Sequence, residues 1–446
     1  RGAVEIFELP KRVKDNYRYI VGCLPAGEKV LTAEGLKDIE TITLEDKLIN
    51  QNGNKVDIIN LQQYDIVDDN LYTVQLCNTL RTTTFTGEHP ILSSNPIYKY
   101  TSYGKTKRLG TLGKYLDFDF EFKKESVLSK GDWMKIPNMY KTSIYENVEE
   151  LWDNTDIRID RQIVNPLKSK DFWWFIGLWL GDGWCEGEFV VKISFNKHEK
   201  YYIDKFEKIT STIFNRKFNK RVRNNCVEYG ISNQQLNIFL TKNFGKYASG
   251  KFISENIKKI PLDLKKQLIL GYLDSDGSIL KNGKYYSTEF VSINYNLLES
   301  IQDILFSLNI VSGLTVLRKA GKHFILKKES NCQETYHLRV SHNDSIKLAK
   351  ILGDYDDIKI KRIDFNNLPK TRRTPQLNCF FDATGNFIYI KIKDIKISKF
   401  TGKVYNFECE THTYMCKNIV THNCDPYDDD IVEFSSSLGS AIVFDR

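Results

Sequence analysis

Close to its C-terminus the chain reads Val420-Thr421-His422-Asn423-Cys424. An asparagine side chain can attack its own backbone carbonyl, close a succinimide and cleave the peptide bond that follows. The reaction is slow without a proton donor for the leaving nitrogen and without polarisation of the carbonyl. His422 adjoins the asparagine, and Cys424 follows the scissile bond as a thiol nucleophile. At the other end, Cys23 follows a glycine in "VGCLPAGEKVLT". A cysteine so placed can attack the preceding carbonyl carbon and turn the amide into a thioester. Amides are poor acyl donors, so the Gly22–Cys23 bond must be strained or polarised to react. Thr86-Gly87-Glu88-His89 offers a hydroxyl and an imidazole that suit protonation of the departing Cys23 nitrogen. Each fragment alone is common in surface loops; their order along one chain points to peptide-bond chemistry at both ends of the segment from Cys23 to Asn423.

A second chemistry lies between them. "FIGLWLGDG" from Phe175 to Gly183 recurs in form as "ILGYLDSDG" from Ile269 to Gly277. Strand-like stretches and helical patterns follow each copy in the same order: helix, strands, helix, strands, helix. This is one α/β unit written twice over roughly 170–355. Each copy ends its first helix near an acidic residue, Asp182 or Asp276. A helix ending in Asp-Gly is also an ordinary cap, and only the matched duplication favours the functional reading. Asp274 has Leu180 as its counterpart, so it is unmatched and not taken as catalytic.

The elements that must position these residues differ in texture. Residues 23–138 hold short β-like runs with turn punctuation, Asn52-Gly53 being a tight-turn pair. Residues 386–420 return to that texture; in "FIYIKIKDIKI", Ile390 and Ile392 alternate with Lys391 and Lys393, the period of a half-buried strand. A β-rich layer is therefore interrupted by an α/β insert, with 139–165 and 356–385 as connections. The 446 residues, 41% hydrophobic and 13% aromatic, describe a globular chain of two or three domains. A net charge of +7 is compatible with a polyanionic partner without requiring one. The most apolar run, Phe172 to Gly181, is about half the length that crosses a bilayer, and no signal peptide is visible. Nine scattered cysteines without CxxC or zinc spacing indicate free thiols in a reducing, cytoplasmic compartment.

The terminal blocks together resemble the inteins: Cys23 with "LPAGEKVLTAEGLKDIE", "TFTGEHPIL", and "VYNFECETHTYMCKNIVTHNC". The resemblance implies an all-β Hint horseshoe fold, shared with hedgehog autoprocessing domains, and autocatalytic splicing without a cofactor. Cys23 would undergo an N-to-S acyl shift assisted by Thr86 and His89. Cys424 would take over the acyl group, and Asn423 would cyclise with help from His422 and from His412 of the penultimate block. Gly22 would end joined to Cys424. Many family members carry an aspartate where this chain has Asn406, so the timing of the steps is an open point.

The repeated motif resembles the LAGLIDADG homing endonucleases, in which two motif helices pack at a pseudo-twofold axis. That implies close helix contact at Gly177 and Gly271, Asp182 and Asp276 as catalytic metal ligands for Mg2+, and site-specific cutting of both strands at a long asymmetric DNA site by a monomer. Basic strands after each motif helix would face DNA: Arg216, Lys217, Lys220, Arg221 and Arg223 in the first copy, Arg318, Lys319 and Lys322 in the second, with Lys370, Arg372 and Arg373 extending them. For the family's catalytic lysine, Lys192 and Lys322 are the candidates. The expected division is 1–22 N-extein fragment, 23–165 and 356–423 the split splicing domain with its linker, 166–355 the endonuclease, and 424–446 C-extein fragment. The flanks, once joined, resemble the first hairpin of an RNase H-like nuclease such as a phage terminase large subunit, with Asp425 as its first metal-binding acid. Three other readings stay open: live splicing with an inactive endonuclease, an autoprocessing domain that only cleaves, and a DNA-binding, maturase-like protein without peptide chemistry.

Overall fold

In the computed structural model, residues 22–423 are described apart from 96, 99–115, 144, 146, 153–164, 326–327, 355 and 369–377. Cys424, Asp425, Lys370, Arg372 and Arg373 lie outside the described residues.

The β-rich stretches from both ends of the chain join one 13-stranded sheet, antiparallel at every pairing. Alternation drives it. Along Phe387–Cys409, Ile388, Ile390 and Ile392 point into a core with Leu48, Val56, Val74 and Phe85. That strand runs antiparallel to Lys55–Leu76 along almost its whole length. The pair continues well beyond the core as a ribbon, where Ile59, Val67 and Ile397 are exposed. Asn52-Gly53 makes the turn between Lys47–Ile49 and Lys55–Leu76, with Gly53 at a φ of +82°.

Among the described residues the insert carries seven α-helices: α1 (Lys170–Asp182), α2 (Lys200–Phe214), α3 (Gln234–Phe244), α4 (Glu255–Lys258), α5 (Leu262–Asp274), α6 (Tyr295–Ser307) and α7 (His342–Leu352). Two four-stranded sheets have matching order. One runs Gly183–Glu186, Val190–Asn196, Cys226–Ser232, Asn219–Arg223; the other runs Gly277–Asn282, Tyr285–Ser292, Thr335–Val340, Ser312–Arg318. The second copy adds a hairpin, Gly321–Ile325 with Lys328–Cys332.

Helix α1 is buried on all sides from Phe172 to Leu180 and lies along α5. Their approach needs glycine: a Cβ at Gly177 would stand 2.0 Å from the Leu268 carbonyl oxygen, and one at Gly271 would stand 2.0 Å from that of Trp174. Backbone occupies the space on both sides, so no side chain can yield.

A buried ionic cluster joins the β layer to the insert. Arg81 pairs with Glu299 (2.6 Å) and Asp303 (2.9 Å); Lys258 pairs with Asp303 (2.9 Å) and Glu255 (2.7 Å), which accepts from the Tyr140 hydroxyl at 2.6 Å. The two cations hold the Asp303 carboxyl below its usual range despite its burial. Arg81→Met takes the cation from Glu299 and leaves Asp303 with Lys258 alone, and we expect a loss of about 3–5 kcal/mol, because removing one partner leaves buried charge uncompensated. Urea unfolding of the variant against its parent checks this.

Candidate functional site

Two centres gather the chemistry-bearing residues. The first joins both ends of the β layer. Strand Leu24–Pro25 pairs with Tyr405 and Val404 and seats Cys23, only 1% exposed, against strand Thr82–Thr86. The Cys23 N–H donates to Thr86 Oγ1 at 2.8 Å, and the Thr86 N–H donates to the Cys23 carbonyl at 2.9 Å. Thr86 is thus an acceptor for the amide at rest. It becomes a proton source only as the nitrogen loses amide character.

His89 is wholly buried and stacks on Phe85 at 5.0 Å. Burial pushes its proton affinity down to about 4, while the Gly22 backbone acts in the opposite sense. A backbone group that favours the protonated ring is an acceptor, so the Gly22 carbonyl faces this imidazole. At rest Nδ1 makes no hydrogen bond of full geometry among the described residues. The ring is therefore neutral near pH 7, close to the bond that Cys23 would attack, and able to act as base and then acid.

His89 also fixes a pH effect on stability. Its folded value of about 4 lies below the ordinary 6.5, so the unfolded chain takes the proton first. Stability should fall as pH drops from 6.5 towards 4, by about 2 kcal/mol between pH 7 and 5 from this group. Denaturation at both pH values, with His89→Gln as the comparison, should show that share disappear.

The strand Ile419–His422 runs beside Pro90–Ser94, with Thr421 opposite Ile91, and delivers the other junction. His422 Nδ1 lies 2.5 Å from the Asn423 carbonyl oxygen, the carbonyl that the asparagine side chain would attack. Asn423 is 1% exposed, and its side-chain nitrogen and oxygen have no hydrogen-bond partner among the described residues. The His412 carbonyl accepts the Asn423 N–H at 2.8 Å, and its ring stacks on His422 at 5.8 Å. His412 thus bears on Asn423 through its backbone and on His422 through its ring. Asn406 is buried, accepting from the Tyr414 hydroxyl and the Phe407 N–H, both at 2.8 Å, and Tyr414 meets His89 edge-on at 6.4 Å.

The second centre lies where α1 and α5 end. Asp182 and Asp276 face each other there. Burial and the Asp276 charge push the Asp182 carboxyl up to about 7. Asp276 is more open to solvent, yet the protein packed around it also raises its carboxyl. Two lysines flank them. Lys251 Nζ donates to the carbonyls of Trp179, Leu180 and Gly183 at 2.7–2.9 Å; Lys359 Nζ donates to those of Leu273, Asp274 and Gly277 at 2.7–2.9 Å. Each cation caps the end of one motif helix, favoured by the carbonyl end of the helix dipole. Burial lowers both, Lys251 to about 8. Sequence reasoning missed this pair; a lysine closing each repeat was its only trace.

The lysines proposed instead stand elsewhere. Lys192 is held on the first sheet by Glu186 (2.7 Å) and Glu228 (3.1 Å). Lys322 sits on the extra hairpin with Glu329. Asp274 is buried, accepts from Trp174 Nε1 at 2.6 Å and faces Lys205, away from the paired aspartates' cleft. Among the basic residues, Lys220, Arg221 and Arg223 lie on the exposed edge strand Asn219–Arg223, with Lys220 paired to Glu207. Arg216 and Lys217 precede that strand, Arg318 ends its counterpart in the second sheet, and Lys319 follows it.

Residues 263–353 match the family model described as a LAGLIDADG-like domain. Reverse gyrase of Pyrococcus horikoshii is 23% identical over 328 residues, 66% of this chain and 19% of its own length, so the chain spans about a fifth of that relative. Among solved structures, mesophilic variants of the homing endonuclease I-DmoI align with 42% of this chain and 96% of theirs at 16% identity and a TM-score of 0.31. I-DmoI in complex with DNA and Mn aligns with 42% and 98% at 18% identity and a TM-score of 0.30. Full-length DUF199/WhiA of "Thermatoga maritima" aligns with 51% and 64% at 13% identity and a TM-score of 0.30. The chain is multidomain, and one of its parts is a LAGLIDADG-like α/β domain.

Proposed function

We propose that the chain is a self-splicing intein of the Hint type that carries a LAGLIDADG homing endonuclease. It would excise residues 23–423, ligate Gly22 to Cys424, and cut both strands of a long DNA site as a monomer. The splicing part would be 23–165 with 356–423, the endonuclease 166–355, and 1–22 and 424–446 fragments of the host protein. The observation that carries the splicing reading is the meeting of Gly22–Cys23 and His422–Asn423 around one buried histidine: the Gly22 backbone acts on His89 from one side and Thr421 touches it on the other.

In the first step Cys23 Sγ bonds to the Gly22 carbonyl carbon, the carbon–nitrogen bond breaks, and the thiol proton ends on the Cys23 nitrogen by way of His89. Thr86 Oγ1, already on that nitrogen, helps to carry the proton. The Cys424 thiol then exchanges with the thioester. Asn423 Nδ2 attacks the Asn423 carbonyl, held by His422, and the chain is released; an S-to-N shift finishes the ligation. One thioester replaces another, so no cofactor is required. The free thiols require a reducing compartment, in keeping with a cytoplasmic location. A chain placed between two carrier proteins should give, by intact mass spectrometry, a ligated carrier product and a free 23–423 fragment. Unchanged precursor, with no thioester captured by added thiol, would remove splicing and leave a DNA-binding protein.

For the endonuclease, the supporting observation is the carboxylate pair. Burial and the Asp276 charge raise the proton affinity of Asp182, and burial raises that of Asp276, an arrangement that a cation resolves, and a hard divalent ion such as Mg2+ fits two carboxylates. When bound, the ion supplies charge stabilisation and an activated water for phosphodiester hydrolysis. Lys251 and Lys359 offer positive charge beside each aspartate, and the two sheets offer Lys220, Arg221, Arg223 and Arg318 to phosphates. Lys251→Met or Lys359→Met should slow cutting by about 10²-fold, the usual loss for a proton-handling group. A plasmid nicking assay reads it, and Lys192→Met or Lys322→Met should stay within about threefold of the parent on the same scale.

A further inference from the structure

Thr421 precedes His422, and none of the steps above uses it. It is fully buried, and its Oγ1 touches His89 Nε2, the Pro90 carbonyl at 3.0 Å and the His422 carbonyl at 3.4 Å. A hydroxyl has one hydrogen to give and lone pairs to receive with. Carbonyl oxygens only accept, and of the two the Pro90 carbonyl is the nearer place for the Thr421 hydrogen. With its hydrogen there, Oγ1 faces Nε2 with a lone pair, and in that arrangement Nε2 carries the proton of the neutral ring. Nδ1 is then the acceptor on the Gly22 side of the ring, where it makes no hydrogen bond of full geometry among the described residues.

We propose that the Thr421 hydroxyl is a positioning residue for the N-terminal acyl shift: braced by the Pro90 carbonyl, it fixes the proton of His89 on Nε2 and so presents Nδ1 to Cys23 as a base. The inference rests on the splicing reading. As sulfur bonds to the Gly22 carbonyl carbon, the thiol proton passes to Nδ1. The Nδ1–H then faces the Gly22 carbonyl oxygen, where negative charge gathers. When the carbon–nitrogen bond breaks, the same proton goes to the Cys23 nitrogen, and His89 returns to its resting form. Because Thr421 sits two residues before Asn423, the strand that holds the last reaction also prepares the first.

The full chain carrying Asn423→Ala, with nitrogen-15 histidine, tests this in two ways. Histidine NMR should find the His89 proton on Nε2. Thr421→Val, which keeps the shape and loses the hydroxyl, should move it to Nδ1 or mix the two forms, and Thr421→Ser should restore it. Cleavage at Cys23 by added thiol should fall by about 10²-fold in Thr421→Val and recover in Thr421→Ser, on the scale of general acid–base assistance. A proton found on Nδ1 in the parent, or the same tautomer in the valine variant, overturns the inference. The NMR arm does not need a reactive junction. Loss of thiol cleavage in the parent would sink the splicing reading, while the tautomer would still judge Thr421.

Discussion

Asn423→Ala in a chain flanked by carrier proteins should leave the C-terminal junction intact, with the loss of cleavage on the order of 10⁴-fold or more, because the attacking group itself is gone. The alanine cannot form a succinimide, whatever His422 does to the carbonyl. The side-chain amide of Asn423 is buried and unpartnered among the described residues, so little structure should be lost with it. The N-terminal reaction should persist. Added thiol should still release the N-terminal carrier, since Cys23, Thr86 and His89 are untouched. Cys23→Ala should give the reverse: no thiol-dependent release at Gly22, and slow cleavage after Asn423. Mass spectrometry of the two variants over time separates the junctions. Normal ligation in either would contradict the assigned nucleophiles.

The residues that meet at this centre were suspect in the sequence because each has a telling neighbour: His422 beside Asn423, Gly22 beside Cys23, Thr86 three residues from His89. The contacts that tune them were not legible. Thr421 reaches His89 across the pairing of Ile419–His422 with Pro90–Ser94, and Asn406 reaches Tyr414 through the core; no periodicity reports such pairs. The α/β repeat was readable from its doubled motif, down to Gly177 and Gly271 at the helix contact. Lys251 and Lys359 escaped because they cap helix ends far behind them in the chain. The ribbon formed by Lys55–Leu76 and Phe387–Cys409 also runs farther than the hydrophobic alternation indicates, since its outer part is held by strand pairing rather than by burial. The ionic cluster around Arg81 was invisible for the same reason as the lysines: its partners come from separate domains.

Asp182→Asn, and separately Asp276→Asn, should reduce double-strand cutting by about 10³-fold or more while splicing proceeds at the parent rate. Each amide keeps the size of the carboxylate and removes the charge that holds a cation, and charge stabilisation by such an ion is worth several kcal/mol in phosphoryl chemistry. The two centres stand on different cores, so a substitution at the ends of α1 and α5 leaves Cys23 and Asn423 undisturbed. Stability supplies an independent readout. In the parent, Asp182 and Asp276 repel each other, and an added divalent ion should raise the melting temperature by binding only the folded state. In metal-free buffer the asparagine variants should melt no lower than the parent, since a like-charge pair has been relieved. Magnesium should then give them little or no further gain. A variant that still cuts both strands, or that still gains stability from magnesium as the parent does, would move the metal elsewhere. A variant that loses splicing together with cutting would mean the two centres are energetically one, with the Arg81 cluster as the connection between them.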